Sequence, residues 1–102
     1  MTRSKLEMYM DVLIAIRDGK KKLTHIMATA NVSTKWLKSA LKLLIAQKLI
    51  IVEKPNIRDK RLRKYYIITT RGKDVLSRYE YFKKLFSPEE VNGNSVKEFS
   101  EN

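Results

Sequence analysis

Leu23-Thr24-His25-Ile26-Met27-Ala28-Thr29-Ala30-Asn31-Val32-Ser33-Thr34-Lys35-Trp36-Leu37-Lys38-Ser39-Ala40-Leu41-Lys42-Leu43-Leu44-Ile45 is the stretch on which the fold turns. Leu23, Ile26, Met27 and Ala30 recur at helical spacing, and Thr24 is expected to cap that short helix. Asn31 tolerates a left-handed backbone and ends it. Val32 is expected to be the buried residue of the turn. Ser33 caps a second, longer helix that runs to about Gln47. Its inner face reads Leu37, Ala40, Leu41, Leu44 and Ile45, and its outer face Thr34, Lys35, Lys38, Ser39 and Lys42. A short helix, a tight turn and a longer helix with a basic outer face make a helix-turn-helix.

On the N-terminal side, Ser4 with Glu7 three residues on predicts a capping box. Leu6, Tyr9, Met10, Leu13 and Ile16 then share a helical stripe until Gly19, a helix over about residues 5–18. Met8 and Val12 lie off that stripe, either as exposed apolar residues or as a second packing surface. Lys20-Lys21-Lys22 is a short basic linker. On the C-terminal side, Leu49-Ile50-Ile51-Val52 reads as a strand and Pro55-Asn56 breaks it. A basic loop, Asn56 to Lys64, leads to a returning strand, Tyr65-Tyr66-Ile67-Ile68. Thr69 or Thr70 caps a last helix over about residues 70–86, which Ser87-Pro88 stops.

This order predicts an α+β winged helix-turn-helix: three helices, a two-stranded wing and an additional C-terminal helix. The expected core includes Leu13, Leu37, Leu41, Leu44, Ile50 and Ile67. Residues 1–69 would form the winged domain and residues 70–86 a dimerisation helix. Residues 87–102 would be a mostly disordered, acidic tail.

The 102 residues carry 22 Lys plus Arg against 11 Asp plus Glu, a net charge of +11. Residues 1–86 hold 21 of the basic and 7 of the acidic residues, whereas the tail sets Lys97 against Glu89, Glu90, Glu98 and Glu101. So large a positive charge points to an anionic partner, nucleic acid or membrane surface. With no Cys and one His there is no thiolate, no His cluster and no set from which a catalytic relay could be built. Three Gly leave no phosphate-binding loop of the nucleotide-binding kinds. No apolar run approaches the roughly 20 residues that span a bilayer, and no signal peptide is visible. The expectation is an intracellular, non-enzymatic protein with no cofactor, no metal and no membrane contact.

Double-stranded DNA is the expected partner. On the recognition helix, Ser33, Thr34, Lys35, Trp36, Lys38, Ser39 and Lys42 are the candidates to reach it. Ser and Thr bond to several bases or to phosphate, and Lys is a flexible point charge. Phosphate contacts should therefore outweigh base discrimination. In the wing, Lys54, Arg58, Lys60, Arg61, Arg63 and Lys64 oppose only Asp59, a turn former. Arginines at a wing tip suit a narrow minor groove. Trp36 has two readings, packing at the junction of the second and third helices or stacking on deoxyribose or a thymine methyl. His25 reads as a surface residue or phosphate contact. On the last helix, Val75, Tyr79, Phe82 and Phe86 recur at spacings of 4, 3 and 4, broadened by Leu76, Tyr81 and Leu85. Burying both sides of that helix needs a second chain, so Val75, Leu76, Tyr79, Phe82 and Phe86 are the expected homodimer contacts.

Asn31-Val32-Ser33, Leu41-Lys42-Leu43-Leu44, Leu49-Ile50-Ile51 and Tyr66-Ile67-Ile68-Thr69-Thr70-Arg71-Gly72-Lys73-Asp74-Val75-Leu76 resemble the archaeal ten-kilodalton winged-helix DNA-binding proteins of the Sulfolobus 10a type. The likeness covers about residues 4–86. It implies an abundant dimeric chromatin or nucleoid protein joined through a C-terminal antiparallel coiled coil, and hence a cytoplasmic, nucleoid-associated location and an archaeal origin. Two departures stand out. The last helix ends early, and the wing is longer and richer in Arg. Arg58-Asp59-Lys60-Arg61-Leu62-Arg63-Lys64-Tyr65-Tyr66 is similar to wings of the MarR and PadR regulators, which implies operator binding and transcriptional control. The Thr-x-x-Gly-x-x-x-Leu segment from Thr69 to Leu76 is shared widely among winged helices. A protein-interaction module is the reading from another class.

Overall fold

The computed structural model describes residues 3–54 and 64–86. Three helices come first: α1 (Lys5–Arg17), α2 (Leu23–Ala30) and α3 (Thr34–Ala46). An antiparallel hairpin of β1 (Ile50–Glu53) and β2 (Tyr65–Ile68) follows, and α4 (Thr70–Leu85) closes the chain. This is the expected α+β winged helix with a fourth helix. The tip of the wing and the tail from residue 87 lie outside the described residues.

The helix boundaries follow from their caps. Ser4 Oγ accepts from the Glu7 backbone N–H at 3.1 Å, and Glu7 Oε1 accepts from the Ser4 backbone N–H at 3.0 Å, so the capping box is complete. The Ser4 hydrogen bonds hold the Glu7 carboxyl below its ordinary pKa. Asn31 ends α2 with φ 56° and ψ 58°, the left-handed conformation expected of it. Ser33 Oγ accepts from the Trp36 N–H at 3.2 Å and starts α3. The expected cap of α2 is corrected. The cap position is Lys22, with extended backbone and no side-chain hydrogen bond, and Thr24 lies inside the first turn. Apolar Leu23, packed against the core, draws the helix start back toward the linker.

The core gathers residues from every element, with Val12, Leu13, Ile26, Leu37, Ile50 and Leu76 among its fully buried side chains. Val12 is thus a core residue and not an exposed one. Helix α1 has α2 on one side and α4 with β2 on another, so more than one stripe of it is covered. Leu6, from the expected stripe, is exposed instead, as is Ile45 on α3. Val32 is half-buried. The hairpin register pairs Ile50 with Ile68, Ile51 with Ile67 and Val52 with Tyr66. Side chains alternate across a strand, so Ile50 and Tyr66 face the core and Ile67 shares the outer face with exposed Ile51. The expected core position Ile67 is corrected to Tyr66. The Tyr66 N–H also donates to Lys21 O at 3.0 Å, which fixes the linker before α2 to the sheet.

One junction joins α3, the hairpin and α4. Thr69 Oγ1 donates to Lys48 O at 2.7 Å and accepts from the Gly72 N–H at 3.0 Å, while the Thr69 N–H donates to Leu49 O at 3.0 Å. Gly72 lets α4 lie directly on that strand: a Cβ there would overlap the Leu49 carbonyl oxygen and sit 2.7 Å from Ile68 Cγ1. Overpacking of this kind costs about 3 kcal/mol, and loss of an N-cap hydroxyl about 1 kcal/mol. Urea denaturation followed by circular dichroism should therefore show Gly72→Ala destabilised by about 3 kcal/mol and Thr69→Ala by about 1 kcal/mol or somewhat more.

Candidate nucleic-acid interface

Helix α3 is held from below by Leu37, Ala40, Leu41 and Leu44, all buried. Its 3.6-residue period then sets Lys35, Lys38, Ser39 and Lys42 along the opposite, exposed face. No carboxylate lies on α3. Thr34 is exposed beside that row, its Oγ1 directed at Met27 Sδ 2.7 Å away. The Ser33 hydroxyl is engaged as the cap. Trp36 is half-buried, and its ring packs against Tyr9 of α1 with centroids 5.2 Å apart. The indole therefore braces α3 against α1.

The hairpin flanks α3. Lys54 follows β1 and Lys64 precedes β2, both exposed at the base of the wing. Arg58, Lys60, Arg61 and Arg63, named from sequence as wing contacts, lie outside the described residues. Between α3 and the hairpin runs a cleft of about 470 Å³. Its floor is apolar, and Lys38, Lys42 and Lys64 border it.

The turn between α2 and α3 is gripped by a residue that the sequence pattern did not single out. Arg3 Nη1 donates to Ala30 O at 2.7 Å and to Asp11 Oδ2 at 2.9 Å, and its Nη2 donates to Asn31 O at 2.5 Å. The guanidinium thus satisfies carbonyls at the C-terminal end of α2, where the helix dipole favours a cation. Local spacing carries no sign of this, because the partners lie 27 and 28 residues away.

On α4 the expected dimer residues divide. Leu76 is wholly buried in the core beneath α4, so it faces no second chain and is removed from the candidate interface. Its place follows from Gly72, one turn earlier, which brings this end of α4 onto the sheet. Val75 and Tyr79 are half-buried against the same core. Phe82 and Phe86 are 61% and 71% exposed, and their rings touch with centroids 5.0 Å apart. Tyr81 and Leu85 are exposed beside them. Arg17 bonds both carboxylate oxygens of Glu80 at 3.1 Å and ties α1 to α4 just before this patch; these bonds raise the Arg17 pKa. Among the described residues no helix is long and apolar enough to cross a membrane.

A short helix, a left-handed turn, a capped basic helix and a flanking hairpin define a winged helix-turn-helix. The chain matches the Winged helix-turn-helix family over residues 2–87 and belongs to it. Its fold is shared with Sso10a-2, a DNA-binding protein from Sulfolobus solfataricus, at a TM-score of 0.67 and 22% identity, over 97% of this chain and 95% of that one. BpsR of Bordetella bronchiseptica, whose DNA binding is regulated by 6-hydroxynicotinic acid, superposes at 0.68 with 19% identity, over 90% of this chain and 71% of that one. The transcriptional regulator Tm0710 of Thermotoga maritima superposes at 0.58 with 17% identity, over 92% and 68% of the two chains. No curated protein sequence matches this one.

If Arg3 is the clamp of the turn, Arg3→Ala should cost about 1–2 kcal/mol, the worth of charge-assisted hydrogen bonds at a partly exposed site. Hydrogen exchange should locate the loss. The Val32 amide, bonded to Met27 O, should exchange faster, while the Leu76 amide changes only with global stability.

Proposed function

We propose that this protein binds duplex DNA without catalysis, as a dimer of winged helices with a nucleoid or architectural role. Helix α3 enters the major groove, which is wide enough for one helix. The hairpin lies along the minor groove or backbone. The observation that carries this reading is the exposed row Lys35, Lys38, Ser39 and Lys42 on a helix free of carboxylates, rigidly capped and backed by the core. Lys54 and Lys64 extend the same charge onto the hairpin, and the sequence adds Arg58, Lys60, Arg61 and Arg63 beyond them. Lysine neutralises phosphate well and reads bases poorly, so affinity should exceed discrimination.

The exposed Phe82, Phe86, Tyr81 and Leu85 support dimerisation through the end of α4. A two-fold dimer would present two recognition helices to successive stretches of one duplex. A second reading, a regulator with an operator, is favoured by the arginines of the wing sequence, since Arg reads guanine edges and narrow minor grooves.

Binding of a labelled random duplex and of a pool-selected duplex, each across a salt series, tests the reading. Affinities that agree within about tenfold mark an architectural binder, and a selected site that wins by about 10³ or more marks a regulator. Affinity that stays flat as salt rises would refute DNA binding altogether. Lys38→Ala with Lys42→Ala should flatten the slope of log K against log salt by about 0.9 for each phosphate that is no longer neutralised. Phe82→Glu with Phe86→Glu should sediment as the 12.0 kDa single chain, with the circular dichroism of the folded protein retained.

A further inference from the structure

We infer that the linker Lys20-Lys21-Lys22 is a third phosphate-contacting element, which grips the backbone of a duplex beside the groove that α3 occupies. The inference rests on the DNA-binding reading and adds to it a surface outside both α3 and the wing. The three lysines stand between α1 and α2, and all are exposed. Main-chain hydrogen bonds pin each of them. The Lys20 N–H donates to Ala15 O at 3.0 Å, Lys21 O accepts from the Tyr66 N–H at 3.0 Å, and Lys22 O accepts from the Ile26 N–H at 2.9 Å. Lys22 has extended backbone, with φ −91° and ψ 147°. The linker is thus tied to β2 as a fixed part of the fold.

Its neighbours place the linker on the same side of the molecule as the α3 row. Leu23, the next residue, borders the cleft that Lys38, Lys42 and Lys64 also border. Tyr66, whose N–H holds Lys21, lines that cleft too and follows Lys64 by two residues. The linker, the base of the wing and the α3 row therefore form one run of cations. Among the described residues no carboxylate pairs with Lys20, Lys21 or Lys22. Asp18, nearest in the chain, is bonded by Arg17 Nε at 3.1 Å. Glu53, exposed opposite Tyr65, is the one described carboxylate of the hairpin. Three adjacent ammonium groups repel one another, and a row of phosphates relieves that repulsion while releasing its own condensed counterions. Folding has already fixed this backbone, so binding orders the side chains alone. Phosphates carry no base identity, so the linker adds affinity and register without discrimination.

The test is the salt dependence of binding by the full chain to the labelled random and pool-selected duplexes. Lys20→Gln, Lys21→Gln and Lys22→Gln together should flatten the slope of log K against log salt by about two units or more, 0.9 for each phosphate no longer neutralised. Affinity for the two duplexes should fall by the same factor. The pinning bonds use main-chain atoms only, so the circular dichroism of the folded protein should be retained. Lys73→Gln, Lys83→Gln and Lys84→Gln remove the same charge from α4 and should leave the slope nearly unchanged, because cations away from the contact release few counterions. In an NMR titration of the ¹⁵N-labelled chain with the random duplex, the amides of Lys20, Lys21 and Lys22 should shift together with those of α3. A slope that moves no further in the linker variant than in the α4 variant would overturn the proposal and leave DNA binding standing. So would linker amides that stay in place while those of α3 shift, or a loss of affinity confined to the selected duplex. Wild-type affinity that is flat in salt would instead remove the DNA-binding reading, and this inference with it.

Discussion

The contact of Thr69 and Gly72 with the Lys48–Leu49 backbone is the constraint on which the rest of the structure depends. Lys48 has φ 63°, so the chain turns sharply after α3 and brings Leu49 O within reach of Thr69. The hydroxyl then joins two elements with one atom, accepting at the start of α4 and donating to the end of the turn. Without a side chain at residue 72, the first turn of α4 sits on the strand entry and carries Leu76 into the core. The orientation of α3 against the hairpin, and hence the shape of the cleft between them, is set by this small junction.

Much of this was legible in the sequence because it is local. A capping box, a left-handed Asn and a Ser cap each involve groups within four residues, and the pattern of types names them directly, whereas the Thr caps were less legible: α4 starts at Thr69, one of two neighbouring candidates, and α2 starts at Lys22 and not at Thr24. What was not legible depends on tertiary company. Val12 is buried because α1 is covered on two sides, and no periodicity within α1 says so. Tyr66 and not Ile67 faces inward because strand register decides the face, and two adjacent apolar residues leave that register open. Leu76 looked like part of an interface stripe. A Gly one turn earlier, which moves the backbone inward, is what takes it out. Arg3 was silent for the plainest reason: its partners are distant in the chain.

Most of the described carboxylates are placed away from α3; Glu53, exposed at the end of β1, is the exception on the hairpin. Glu7 closes a cap, Asp11 meets Arg3, Asp18 and Glu80 meet Arg17, and Asp74 meets Arg78 four residues on. All of these sit on α1, α4 or the residue that follows α1. Exposed pairs of this sort add little stability each. Their larger effect is geometric, because five of the six described carboxylates lie on the α1 and α4 side and α3 itself carries none. The resulting field is long-ranged at low salt and screened within about 8 Å at physiological ionic strength. Attraction to a polyanion would therefore operate mostly at contact, through the row on α3 and the wing.

Helix α4 divides into two functional halves, and that division bears on how the fold relates to assembly. Its first half, with Gly72 and Leu76, is part of the core formed within one chain. Its second half carries Tyr81, Phe82, Leu85 and Phe86 into solvent with no described element beneath them. Four large apolar side chains within six residues are costly to leave in water, at about 25 cal/mol for each Å² of apolar area. A two-fold partner presenting the same residues would cover them without disturbing the core. Because α4 is continuous and anchored at Thr69, the spacing of the two α3 helices in such a dimer would be set rigidly by the length of α4. The stability of each domain and the geometry of the pair would then be governed by opposite ends of one helix.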